Sequence, residues 1–240
     1  MVEEVETSIA ELKKRKCCDG EGWKNEHILY GGKEMVRSLH LIFTEMETKK
    51  IVPMDWNFMM IKSVHKKGPM QDMNKKRGLF LTNVLSKVYE KVLKKRNKSK
   101  IDRGVSECQI GGKKGRGTQD LIILLADLIR RNRMIGKKTY LVFGDAVKCF
   151  DKLWLKDCIV ELYKMGIAPD DLLMLYLMNE NAKIKVKTPI GETDVFEVRE
   201  IVKQGTIWVS EMCCVETDAI NRVGENCTTA IGDVLYGILG

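Results

Sequence analysis

Proline is scarce in this sequence, four in 240 residues, and neither a low-complexity tract nor an internal repeat is present. Proline-rich linkers and repeat arrays are thereby excluded, and one compact folded piece is expected. Histidine is rarer still. His27, His40 and His65 do not pair at ligand spacing, which excludes a zinc site built on them. Eight cysteines are present, yet no C-x-x-C occurs, and the adjacent pairs Cys17-Cys18 and Cys213-Cys214 lack zinc spacing. The N-terminal stretch "MVEEVETSIAELKKRK" is charged and has no apolar signal region. Reduced thiols in an intracellular compartment, cytoplasmic or nuclear and not secreted, are therefore expected. No apolar stretch approaches the roughly 18 uncharged residues that a membrane span needs.

What the sequence does have is a sizeable apolar fraction and a segregated charge. Hydrophobic residues make up 44% and charged residues 31%, the balance of a folded globular chain with a core. The net charge is +8, but residues 51–100 carry +10 and residues 101–150 carry +5, while the remainder is mildly acidic. Such segregation fits a polyanion-facing region beside a region of different work, and equally a solvated basic face.

Periodicity places the elements. "MVRSLHLIF" predicts a helix ending near Lys50, with Met35, Leu39, Ile42 and Phe43 on one face and Pro53 preventing continuation. "NFMMIKSVHKKG" predicts a strand running into a turn at Gly68-Pro69. "LTNVLSKVYEKVLKKRNKSK" predicts an amphipathic helix with Leu81, Val84, Leu85, Val88 and Val92 as its stripe. Lys87, Lys91, Lys94, Lys95 and Arg96 lie off that stripe. After a basic glycine-rich loop, Gly111 to Gly117, Thr118 is the expected N-cap of a helix with Asp120 in its first turn. That helix is apolar nearly all round, so it is expected to be buried. "KKTYLVFGD" predicts a buried strand, followed by helices over "LKDCIVELYKM" and from Pro169. The alternation from Lys183 to Lys187, then "TPIGET", predicts a hairpin. "TIWVSEMCCVETDAINRVGE" predicts a helix and "DVLYGILG" the start of a strand.

The strand "LVFGD" delivers Asp145 to its C-terminal end, where open sheets place reacting groups. On its own, Asp145 fits two roles: capping the next turn, or holding Mg2+, a hard cation that takes oxygen ligands. Phe150 fits a core position or a place under a nucleotide sugar. Lys66 and Arg77, near turns, fit solvent exposure or a clamp on phosphates.

The order of these segments resembles the reverse transcriptase domain of a non-LTR, LINE-type retrotransposon. "KKRKCCDGEGWKNEHI" resembles K-x-x-K-x-x-G-x-D-G. "VPMDWNFMMIKSVHKKG" resembles P-x-x-W…I-x-P-I-x-K-K-G. "MNKKRGLFLTNVLSKVYEKVLKKR" resembles N-Y-R-P-I-S-L-T-S-x-x-S-K-x-x-E-x-x-x-x-x-R. "CQIGGKKGRGTQDLI" resembles Q-x-G-F-x-x-G-R-S-T-x-D. "VFGDAVKCFDKLW" resembles V-F-x-D-x-x-K-A-F-D-x-V, and "VKQGTIW" resembles the P-Q-G turn.

The resemblance implies an α+β, right-hand polymerase fold: an N-terminal helical extension at 1–50, fingers at 51–135 and a partial palm at 136–240. It implies RNA-directed DNA synthesis from an RNA template, a DNA primer and dNTP, with two Mg2+ ions. Asp145 would bridge the metals, and the carbonyl of Ala146 would help hold one. Phe150 would face the sugar and reject a 2′-hydroxyl. Lys66 and Arg77 would hold the triphosphate, and Gln204 and Gly205 would line the nucleotide. Lys113, Lys114 and Arg116, in the glycine-rich loop, would contact template. Departures from the family pattern accompany this. No aromatic-x-Asp-Asp sequence occurs, the one Asp-Asp pair being Asp170-Asp171, and Gly78 stands where the family has proline. The expectation is a domain cut before its second catalytic strand and its thumb, with little or no polymerase activity alone. The alternatives are a non-catalytic basic nucleic-acid-binding module and a pseudogene remnant.

Overall fold

The computed structural model describes residues 2–65, 76–106, 110, 115–141, 153–188, 191–199, 202–203 and 205–218, with the backbone alone at Lys76 and Arg77. Its elements, in chain order, are helices α1 (Val2–Ala10), α2 (Asn25–Leu29) and α3 (Gly32–Lys49), a 3-10 turn at Met54–Asn57, strands β1 (Phe58–His65) and β2 (Lys76–Thr82), and helices α4 (Val84–Gly104), α5 (Thr118–Met134), α6 (Leu155–Lys164) and α7 (Pro169–Asn179). Strands β3 (Ala182–Thr188), β4 (Gly191–Glu192) and β5 (Phe196–Val198) follow, and residues 209–218 are helical. The mixture of helices and one sheet is the expected α+β class.

Helix α4 is the axis of the main core. Its start is held by two acceptors. The Asn83 side chain accepts from Leu85 N (2.8 Å) and Ser86 N (3.1 Å), and Asp19 Oδ2 accepts from Val84 N at 3.0 Å. Asp19 Oδ1 also accepts from Trp23 N (2.8 Å) and Glu21 N (3.1 Å). One buried carboxylate therefore ties the "CDGEGW" segment to the first turn of α4, where amide N–H groups have no helical partner. Leu81, expected in the α4 stripe, instead lies near the end of β2, because the Asn83 cap starts the helix later. The stripe itself is real: Val84, Val88 and Val92 are buried. A second line, Ser86, Glu90, Leu93 and Asn97, is buried as well, so α4 is enclosed on more than one side.

Around it pack Val5 and Ile9 of α1, Leu39 and Phe43 of α3, Leu155 and Leu162 of α6, Met174, Leu175 and Met178 of α7, and Trp208, Met212 and Val215. Helix α3 ends as expected, with Lys50 in the left-handed region at φ 55°. Of its expected apolar face Leu39 and Phe43 are buried, while Ile42 is exposed.

The sheet runs β2-β1-β3, with β4 and β5 both on the far side of β3. Strands β1 and β2 are antiparallel, and β1 and β3 are parallel, which joins segments more than a hundred residues apart. Met59, Ala182 and Ile184 form a small second core with Ile61, Phe80 and Val198. On the returning arm the register slips by one residue. Lys187 pairs with Glu192, whereas Ile184 pairs with Phe196, so three residues lie opposite two. This is a bulge, bridged where Val186 N donates to Thr193 Oγ1 at 3.0 Å. The expected hairpin is thus present, divided in two by Thr193–Val195.

Three expectations change. Helix α5 forms where expected, with Gly117 N donating to Asp120 Oδ2 at 2.9 Å, but its N-cap is Gly117 rather than Thr118. It is also not buried: Ile122 is 62% and Ile123 67% exposed, and no residue of the helix is buried. An apolar surface on all sides gains from burial only where a partner surface arrives, and none among the described residues does so. The expected strand at "KKTYLVFGD" is irregular over 137–141, and 142–145 lie outside the described residues. Strand β2 is not expected from the sequence, since its Lys-Arg-Gly start reads as a turn. The turn at Gly68-Pro69 and the "DVLYGILG" segment also lie outside the described residues. No described helix is long and apolar enough to cross a membrane, and Cys17, Cys18 and Cys158 are free thiols.

Candidate functional site

The cations off the α4 stripe have protein partners. Arg96 donates through Nε and Nη2 to Glu4 (2.9 and 3.1 Å) and through Nη1 to Glu47 (2.7 Å), with Asp171 at 3.7 Å. Lys91 and Lys95 pair with Glu11, Lys94 with Glu211, and Lys98 with Asp102. Four cations of α4, Lys91, Lys94, Lys95 and Arg96, therefore tie other parts of the chain to the helix, while Lys98 pairs within it. The Asp170-Asp171 pair is occupied in the same way. Asp170 pairs with Lys50 at 2.7 Å, and Asp171 accepts from Asn97 Nδ2 at 2.7 Å. A cleft of about 410 Å3 beside these acids, lined by Thr44, Glu47, Lys50 and Met174 among others, shares no residue with the turn described next.

That turn, residues 205–208, is seated by side chains because no strand ladder reaches it. Ile207 N donates to Glu90 Oε2 at 2.6 Å, and Trp208 Nε1 donates to the Glu90 carbonyl at 3.0 Å. Lys94 Nζ donates to the Ile207 carbonyl at 3.1 Å. Just upstream, Lys203 N donates to Asn179 Oδ1 (3.3 Å), and Lys203 Nζ donates to the Trp56 carbonyl (3.0 Å) and Asn57 Oδ1 (3.1 Å). Thr206 Oγ1 donates back to the Lys203 carbonyl at 2.9 Å. Helix α4, helix α7 and the 3-10 turn thus hold one short segment.

Glu90 and Lys203 are both buried. Burial pulls the Lys203 ammonium down to about 8, with the Glu90 carboxylate opposing. Burial likewise pushes Glu90 up from the usual carboxylate range, against the Ile207 N–H and the Lys203 charge. Sequence reading missed both residues. The signal available for Glu90 was its place in the line Ser86-Glu90-Leu93-Asn97, at helical spacing around an apolar residue.

The turn reaches β2. Gly205 has φ +86°, and a Cβ there would stand 3.0 Å from the Phe80 carbonyl oxygen. Thr82 Oγ1 is 3.5 Å from the Gly205 carbonyl. Arg77 lies three residues before Phe80 on that strand, and its backbone pairs with Val64, two positions before Lys66. Gly205 and the strand of Arg77 are therefore brought together. Arg116 is described, exposed, just ahead of α5. Lys66, Lys113, Lys114, Asp145, Ala146, Phe150 and Gln204 lie outside the described residues. Gly205→Ala is expected to cost about 1–3 kcal/mol, since an alanine must adopt a left-handed backbone against a carbonyl; urea unfolding measures it.

The family model for reverse transcriptase (RNA-dependent DNA polymerase) matches residues 64–215, well over half of the chain. The chain belongs to the reverse transcriptase family. No curated protein is found to match it. The span shared with reverse transcriptases begins at Val64 in β1, takes in β2 and α4, and includes the whole 203–208 turn. Reverse transcriptase domains in general act on a nucleic-acid template and primer with nucleotides, and they use divalent metal ions. Among the described residues of this reverse transcriptase domain, no group of three or more His, Cys, Asp or Glu is gathered to hold a metal. The donors that the resemblance implies, the Asp145 carboxylate and the Ala146 carbonyl, lie outside the described residues and are both oxygens, a set that would suit Mg2+.

Proposed function

We propose that the chain is a non-LTR, LINE-type reverse transcriptase domain, with fingers over 51–135, palm elements over 136–240 and a helical extension at 1–50. The observation that carries this is the seating of Gly205 on β2, the strand of Arg77. Two segments that the sequence assigns to one nucleotide meet there, although they lie more than a hundred residues apart. In this reading Arg77 and Lys66 hold the triphosphate, Gln204 and Gly205 line the nucleotide, and Phe150 faces the sugar. Lys113, Lys114 and Arg116 contact template backbone, which gives a salt-dependent affinity. Asp145 and the Ala146 carbonyl would hold Mg2+, which when bound would stabilise the attacking and leaving oxygens.

Within residues 1–240 no aromatic-x-Asp-Asp sequence supplies further carboxylates. The 240-residue chain alone is therefore expected to bind nucleotide but to extend no primer. A thermal-shift titration tests this. A dNTP is expected to raise the unfolding midpoint only when Mg2+ is present, by about 2.7 kcal/mol of stabilisation at a hundredfold excess over Kd. Asp145→Asn is expected to abolish the effect. Absence of any Mg2+-dependent protection in the unsubstituted chain would overturn the reading.

A further inference from the structure

Three backbone polar groups of the segment 203–208 are satisfied by side chains of helices α4 and α7: Lys203 N–H by Asn179, Ile207 N–H by Glu90 and the Ile207 carbonyl by Lys94. Glu90 has the central place. It accepts from Ile207 with its carboxylate and from the Trp208 indole with its carbonyl, so one helical residue holds two consecutive residues of the segment. Placing a carboxylate and an ammonium in the interior is costly, and two apolar side chains of similar size often serve stability as well. What apolar side chains do not supply is an acceptor aimed at the Ile207 N–H. An unpaired N–H there would have to move toward water, and Gly205, two residues away and in contact with the Phe80 carbonyl, would move with it.

We propose that Glu90 is a positioning residue for the nucleotide. Glu90, through the Ile207 N–H, sets where Gly205 sits against β2. Glu90 acts through the turn and does not touch the substrate. The proposal rests on the assignment of Gln204 and Gly205 to the nucleotide, and it adds the device that holds them in place. Lys94, which meets the Ile207 carbonyl from the same helix, serves the same end.

Two double variants of the full 240-residue chain separate positioning from stability. In E90L/K203M the pair is replaced by apolar side chains and the acceptor for Ile207 is lost. In E90Q/K203M the charges are likewise removed, but the acceptor remains. The readouts are amide hydrogen exchange at residues 205–208, dNTP affinity in Mg2+, and RNA affinity as an internal control. E90L/K203M is expected to exchange these amides at least tenfold faster and to bind dNTP at least tenfold more weakly, with RNA affinity and exchange in α1 and α3 within twofold of the unsubstituted chain. E90Q/K203M is expected to recover both properties to within about threefold. Wild-type exchange and dNTP affinity in E90L/K203M would overturn the proposal, as would equal losses in both variants, which mark a merely structural pair. If the unsubstituted chain binds no nucleotide with Mg2+, the assignment of the turn to the nucleotide falls. The exchange rates still decide the other half: faster exchange in E90L/K203M alone supports Glu90 as the residue that holds the turn, and equal rates in all three chains overturn it.

Discussion

Phe43→Ala is expected to lower the free energy of unfolding by about 3–5 kcal/mol, the range for truncating a buried aromatic. Phe43 is fully buried at the centre of the main core. Its ring centroid lies 4.9 Å from that of Tyr89 and 6.0 Å from that of Trp56. Those rings come from α4 and the 3-10 turn, so the three aromatics join separate parts of the chain. The tilted and edge-on arrangements add to the area buried. The Trp56 and Tyr89 rings cannot both follow a shortened side chain, because the Tyr89 hydroxyl is anchored to Glu47 Oε1 at 3.2 Å. A cavity should remain. Urea unfolding measures the loss, and a fall in Tm of about 10 °C should accompany it. A change below about 1 kcal/mol would mean that the core collapses around the vacancy.

Arg96→Ala is expected to cost about 2–4 kcal/mol, somewhat less than the 3–5 kcal/mol of a fully buried pair because Arg96 keeps some contact with solvent. Its guanidinium gathers Glu4 from α1, Glu47 from α3 and Asp171 from α7. Without it three carboxylates lose the cation that they share, so the damage exceeds the loss of any one hydrogen bond. The pH dependence has a definite sign. The Arg96 hydrogen bond holds the Glu4 carboxyl below the usual carboxylate range, with its burial opposing. A depressed carboxylate contributes stability that is complete above its unfolded pKa, about 4.5, and that disappears as pH falls through its folded pKa. The unsubstituted chain should therefore lose stability below about pH 4.5 more steeply than Arg96→Ala does. Unfolding midpoints from pH 3 to pH 7 check both claims. Parallel curves would show that Glu4 gains nothing from Arg96.

Helices α4, α6 and α7 illustrate what was legible. Their apolar spacing and the Pro169 start of α7 act within a few residues, and α6 and α7 form where that places them, while α4 forms with its start moved to Val84 by the Asn83 cap. Helix α5 shows the limit of the same reasoning. Its apolar residues specify a helix but not a partner, and burial requires a surface that comes from elsewhere in the fold. Strand β2 was illegible for a related reason. Its polar, glycine-containing start has little strand preference of its own, and pairing with β1 determines its state. In the candidate site, Gly205 and Arg77 could be named from their motifs. Glu90 stands at the acidic position of the S-K-x-x-E pattern, yet neither its role nor that of Lys203 follows from a motif, because a charged residue read in sequence belongs to the surface until the fold buries it.

The sequence by itself determined the local events: helices α6 and α7, the Lys183–Lys187 alternation, and the family to which the order of motifs points. Such features arise from backbone geometry and hydrogen bonds closed over a few residues, so they hardly depend on the path of the chain. Only the tertiary structure decided which charges neutralise one another on α4, that Asp19 caps that helix from 65 residues away, and that Glu90 holds Ile207 across 117 residues. The buried contacts of Asp19 and Glu90 become favourable only after their two groups have left water together, and that requires the core to have formed first.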